Sequence, residues 1–134
     1  MPASDTIRYG FGLSARRRGE EPRPSDNDVE GFALLLVPGF SLMTFASFVE
    51  PLRQVNRLLG RTLYDWRLLS VDGKPVTASA GVQVVVDGDL ATSELFDYAF
   101  VCAGVQIETV GDKRVYRWLR KLVRHGVTVG AIST

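Results

Sequence analysis

Three short, almost uncharged apolar runs constrain this chain more than anything else in it: Phe32–Val37 (FALLLV), Phe96–Cys102 (FDYAFVC) and Val127–Thr134 (VTVGAIST). A strand with one wet face alternates apolar and polar residues. A strand that is apolar along its length has both faces covered, as the central strands of a parallel sheet do between two layers of helix. Turn signals bound each run: Pro38-Gly39 after the first, Ala103-Gly104 after the second, and the helix-ending pair His125-Gly126 before the third. All three therefore read as central strands.

What lies between the runs fits the same sheet. From Leu42 the apolar positions are Leu42, Phe45, Ala46, Val49, Leu52, Val55 and Leu59, spaced by threes and fours, with Gln54, Asn56 and Arg57 left for solvent. This predicts an amphipathic helix capped by Ser41, kinked at Pro51 and ended by Gly60. Tyr64–Val71 alternates as a strand and turns at Asp72-Gly73. Val76–Ser79 and Val82–Val86 read as a short antiparallel pair around Ala80-Gly81. A loop through Ile107 and Gly111 leads to a second helix, about Asp112 to His125, with Val115, Trp118, Leu119 and Leu122 as its buried stripe. Strand, helix, strand, hairpin, strand, helix, strand is the order of an α/β domain with a mostly parallel sheet. The last strand has no helix after it to cover it, so a fragment of a domain is expected.

Composition narrows the function. With 46% apolar residues and 134 in all, the chain can bury a core as one domain. A net charge of +1 gives no global attraction to nucleic acid or anionic lipid. One cysteine, Cys102, excludes an internal disulfide, and with one histidine, His125, no metal site and no cofactor is expected. No apolar run reaches the roughly 18–20 residues that span a bilayer, which makes the cytoplasm the expected compartment. Residues 1–30 have the composition of a disordered tail. Arg16, Arg17 and Arg18 are not followed by the apolar segment that a twin-arginine signal requires.

In open α/β sheets, ligands bind beyond the carboxyl ends of the strands. Ser133 stands there, in the position of a nucleophile elbow, where helix N–H groups can receive an anion. A serine needs an adjacent base, and His125 lies six strand steps, roughly 20 Å, away. Ser133 thus reads as a hydrogen-bonding residue before it reads as a nucleophile. Cys102, at a strand end, reads as a small core residue; Gly104 can present an N–H to a bound group; His125 suits the negative end of its helix. Glu50 is the sole carboxylate of the first helix and is expected at the surface. Six cations on the second helix read as a solvated face, and Pro38-Gly39-Phe40 lacks the glycines of a dinucleotide loop.

The stretches FALLLVPGFSLMTFASFVEPLRQVNRL, YDWRLLSVDGKPVTASAGVQV, YAFVCAG and VTVGAIST together resemble the PfpI/ThiJ-type, class I glutamine-amidotransferase-like domain. More narrowly they are similar to the version at the amino terminus of AraC-type transcriptional regulators. The resemblance covers Gly31 to Thr134. It implies a flavodoxin-like three-layer sandwich, of which residues 31–134 are the first part, a homodimer, a small-molecule effector, and DNA binding only through a carboxy-terminal helix-turn-helix domain that is absent here. In enzymes of this superfamily the elbow carries a cysteine, with a carboxylate from the first helix. Here those positions are Ser133 and Thr44, Ala103 precedes the oxyanion-loop Gly104, and Thr134 stands where protease-like members have histidine. The resemblance then implies a ligand-sensing pocket at Gly39, Thr44, Gly104 and Ser133, without thiolate chemistry. The alternatives are an amidase- or deglycase-like hydrolase using Ser133 with a base from beyond Thr134, and a dimerisation domain without a ligand.

Overall fold

In the computed structural model the described residues are 29–105 and 111–133. The expectations for the tail (1–28, with Arg16 to Arg18), the loop through Ile107 and Thr134 lie outside them.

Four parallel strands form the main sheet: β1 (Glu30–Leu36), β2 (Tyr64–Leu69), β5 (Tyr98–Cys102) and β6 (Thr128–Ile132). Their order is β2-β1-β5-β6, so the first two apolar runs are inner strands, as their composition predicts. The third is not. Among the described residues β6 is an edge strand, and Thr128, Val129 and Ala131 are exposed. Its apolar sequence gave no sign of this, because composition reports what a strand tolerates on its faces and not how many neighbours pair with it.

A separate two-stranded ladder, β3 (Val76–Thr77) with β4 (Gln83–Val84), is shorter than the predicted hairpin. The missing ladder bonds go elsewhere. The Gly39 N–H donates to the Thr77 carbonyl (2.9 Å) and the Ser79 N–H to the Phe40 carbonyl (2.9 Å), which pins the hairpin onto the Pro38-Gly39-Phe40 loop.

Helix α1 (Leu42–Leu59) begins at Ser41, whose hydroxyl oxygen accepts from the Thr44 N–H, and ends at Gly60 in the left-handed region (φ 64°). It continues unbroken across Pro51 for 18 residues. Helix α2 (Lys113–Arg124) begins at Asp112, whose side chain accepts from the Arg114 N–H, and ends at His125.

The two helices cover opposite faces of the sheet. Along β1, Ala33 and Leu35 point to one face and join Leu69, Phe96, Ala99, Val115, Trp118 and Leu122 in a buried cluster under α2. The alternate residues point the other way. Phe32 lies 6.0 Å from the Phe48 ring of α1, 4.9 Å from Tyr98 and 5.9 Å from Tyr64. Leu36, Phe40, Val76, Ala78 and Cys102 close the carboxyl end of that face, with Leu42 and Phe45 of α1 against them.

Two details of α1 differ from its periodicity. Phe48, outside the predicted stripe, packs on the sheet, its ring tilted against Phe100 at 4.8 Å. Asn56, assigned to solvent, instead holds β2: its amide donates to the Tyr64 carbonyl (2.7 Å), while its oxygen accepts from the Leu63 and Tyr64 N–H groups (2.8 and 3.0 Å). An amide can satisfy both backbone polarities at a strand entrance, which an apolar side chain cannot.

Candidate functional site

The carboxyl ends of β1, β5 and β6 are stitched together by backbone hydrogen bonds. The Val37 N–H donates to the Cys102 carbonyl (3.1 Å), the Ser41 N–H to Ala103 (3.2 Å), and the Ala103 N–H to Ile132 (3.0 Å). Beside these bonds, two of the four sequence-predicted site residues, Gly39 and Gly104, meet, while Thr44 is joined to the edge only through Ser41. Gly39 and Gly104 touch so closely that a Cβ on Gly104 would lie 2.2 Å from the Gly39 carbonyl oxygen. Only glycine fits at Gly104 without moving backbone. Thr44, on the first turn of α1, donates its hydroxyl to the Ser41 hydroxyl (3.0 Å).

Ser133 directly follows Ile132, is exposed, and belongs to the same edge through the bond from Ala103 to Ile132. His125 stands at the other end of β6, with its Nδ1 2.6 Å from the Lys121 carbonyl. The strand therefore separates it from Ser133, as its length predicts.

Cys102 is fully buried, and burial pushes its thiol up to about 11. It stays protonated near neutrality, packed with Leu36, Phe40 and Val76, and is a core residue without nucleophilic character. Glu50 is exposed and paired with Arg53 (3.0 Å to its Nε), whose hydrogen bond lowers the carboxyl's pKa. It lies at the surface, as expected. Among the described residues no group of three or more His, Cys, Asp or Glu side chains could hold a metal.

Beside this edge lies a cleft of about 910 Å³ that sequence reasoning missed. Its floor is Leu36, Val37 and Pro38 from the end of β1; its walls are Ser70 to Asp72 and Lys74 to Thr77 on one side, and Gly111, Asp112 and Arg114 at the start of α2 on the other. The sequence does place a strand end and an Asp72-Gly73 turn here, the signal that could have found it. What it hides is the fold-back of the turn: the Ser70 hydroxyl donates to the Lys74 carbonyl (2.8 Å), and the Asp72 carboxylate accepts from the Lys74 N–H (3.0 Å). That bond is the main reason the Asp72 carboxyl sits below the usual carboxylate range. Across the cleft the Arg114 guanidinium grips Asp112 (2.8 Å) and lowers its pKa likewise. The cleft thus joins an apolar floor to two carboxylates and two cations, a lining suited to orienting a small polar molecule.

No protein-family model matches the chain. Sequence relatives are nonetheless clear. The chain is 48% identical over 105 residues to the HTH-type transcriptional regulator CdhR of Pseudomonas aeruginosa, a stretch that is 78% of this chain and 31% of that protein. It is 37% identical over 111 residues to the HTH-type transcriptional regulator GbdR of the same species, covering 83% of this chain and 30% of the relative. The chain therefore spans about a third of the length of these relatives. Among solved structures, an AraC family transcriptional regulator from Pseudomonas putida superposes with a TM-score of 0.69 at 24% identity, over 76% of this chain and 63% of that one. A DJ-1 superfamily protein from Agrobacterium tumefaciens gives 0.64 at 19% identity, over 77% and 53%. A ThiJ/PfpI family protein from Pseudomonas syringae gives 0.58 at 16% identity, over 85% and 49%. At these identities the structures establish the fold, while the sequence relatives show which proteins the chain is similar to. The chain has the flavodoxin-like α/β fold of these structures, and in sequence it is similar to about a third of each of these HTH-type transcriptional regulators.

Proposed function

We propose that this domain senses a small-molecule effector and dimerises on behalf of an AraC-type regulator whose DNA-binding part lies in residues beyond those present here. The observation that carries the reading is the chemistry of the carboxyl edge. The strand-end thiol is buried and protonated, Thr44 is a neutral hydroxyl where the resemblance would place an enzyme's carboxylate, and Ser133 is far from His125. What is left can hold a ligand by hydrogen bonds and charge but has little with which to activate a nucleophile. In this reading the effector is held by Gly39, Thr44, Gly104 and Ser133 together with the cleft at Asp72, Lys74 and Arg114, whose Pro38 adjoins Gly39. Effector binding here biases the arrangement of the attached DNA-binding part by differential affinity for two states. Exposed Met43, Leu58 and Leu59 on α1 supply apolar surface for the dimer.

The test is a thermal-shift screen of the full chain against small metabolites, followed by Lys74→Ala and Thr44→Val. A ligand at about 100 times its Kd adds about 2.7 kcal/mol of stability. A shift that both variants abolish supports the reading. Compounds that shift both variants as they shift the native chain would place the ligand elsewhere and overturn the site. Acylation of Ser133 by a serine-directed probe would move the assignment to a hydrolase.

A further inference from the structure

Helix α2 carries more positive charge than packing requires. Six of its twelve residues are Lys113, Arg114, Arg117, Arg120, Lys121 and Arg124, and none is acidic. All six are exposed. At about 100° per residue they fall within an arc of about 120°, so they form one stripe and are not scattered over the solvent face. Val115, Trp118 and Leu122 occupy a different arc, buried against the sheet. Tyr116 and Val123, each 55% exposed, flank the stripe on its other side.

Counter-charge is sparse. Asp112 neutralises Arg114. Lys113, Arg117, Arg120 and Lys121 have no carboxylate partner among the described residues. A shallow groove beside the stripe is lined by Arg114, Arg117, Lys121 and Trp118, with Asp89 as its single carboxylate. A net charge of +1 for the whole chain makes this concentration local: the remaining residues sum to −5, because the six α2 cations exceed the total. Such a field attracts an extended anion to one face and repels it from the rest.

From Lys113 to Arg124 the stripe is about 16 Å long, the axial length over which one strand of duplex DNA presents about five phosphates. We propose that the outer face of α2 is a direct contact for the phosphate backbone of duplex DNA, insensitive to base sequence and additional to any helix-turn-helix contact. The choice of DNA over other polyanions rests on the proposed function and on the similarity to HTH-type transcriptional regulators; the existence of the surface does not. Such a contact positions a sensor domain against the duplex beside the bases read elsewhere.

The experiment is fluorescence anisotropy of a labelled duplex of about 30 base pairs and arbitrary sequence, titrated with the full chain across a salt series. Four to six phosphates neutralised give a slope of log affinity against log salt of about −4 to −5. Arg117→Gln, Arg120→Gln and Lys121→Gln together should weaken binding at low salt by tenfold or more and reduce the slope by about 3. These side chains are exposed, so the fold is retained, and far-UV circular dichroism checks it. Arg16→Gln, Arg17→Gln and Arg18→Gln should leave binding near the native level. The proposal is overturned if no binding is seen at low salt, if the tail variant and not the α2 variant loses it, or if vesicles of anionic lipid bind while DNA does not. No effector is involved, so failure here leaves the ligand-site reading to its own test.

Discussion

The two helices cap the same sheet from opposite sides and are held by different physics. Helix α2 is the shorter, yet it buries Val115, Trp118 and Leu122 in a cluster continuous with Ala33, Leu35 and Ala99. Helix α1 has 18 residues and none is fully buried. It is held by the Phe48 ring, by Phe45 and Leu42 at its first turns, and by the Asn56 clamp on β2. Charge divides them the opposite way: α2 wears its cations outward, whereas α1 leaves Met43 and Leu58 exposed at 74% and 82%. A helix whose sequence separates apolar from cationic so sharply seats itself with one face in and one face out. A helix with apolar residues around much of its circumference keeps some of them uncovered, available to a partner.

Substitutions that attack each attachment should separate the two. Trp118→Ala empties a buried site under α2 and should cost about 3–5 kcal/mol, read as a loss of denaturant midpoint at constant m-value. Asn56→Ala strands two N–H groups and a carbonyl at the start of β2, and about 2 kcal/mol is expected by the same measurement. Phe48→Ala removes a half-buried ring and should cost about 1–2 kcal/mol, well under the Trp118 value. If Phe48 proves the more costly, the contrast between the faces is wrong.

The smallest effect concerns Asp65, a carboxyl 2% exposed on the α2 face. Burial raises its pKa, opposed by the hydrogen bond from the Trp66 N–H. A folded pKa above the unfolded one makes ionisation a cost to the fold. That cost is absent below the unfolded carboxylate range and complete above the raised value. Asp65→Asn should therefore raise the melting temperature slightly at neutral pH, and the difference should vanish by about pH 3. A gain that persists in acid would trace to packing and not to charge.

Much of this was legible without coordinates. FALLLV and the YAFVC core of the second run gave two inner strands because only a doubly covered strand tolerates such composition. Ser41 and Gly60 were readable as caps because their chemistry is local. The α2 stripe was readable because each of its buried residues recurs at helical spacing. The same periodicity failed for Phe48 and Asn56 on α1, where apolar residues are so dense that no single stripe is specified. For the candidate site, the strand ends pointed to the carboxyl edge and the resemblance suggested Gly39, Thr44, Gly104 and Ser133, while the cleft at Ser70, Asp72 and Lys74 went unseen, since it is made by a turn folding back on its own strand.

The sequence by itself determined the alternation of strands and helices, the inner strands and the helix ends, all of which follow from local composition and spacing. Only the tertiary structure decided that VTVGAI lies at an edge among the described strands, where Gly130 leaves room for the Phe100 ring beside it. It alone decided that Gly104 must lack a side chain because the Gly39 carbonyl occupies that space. Pairing partners and close approaches of this kind join residues thirty to sixty-five positions apart. No local pattern encodes such a contact, because its energy belongs to the pair and not to either stretch.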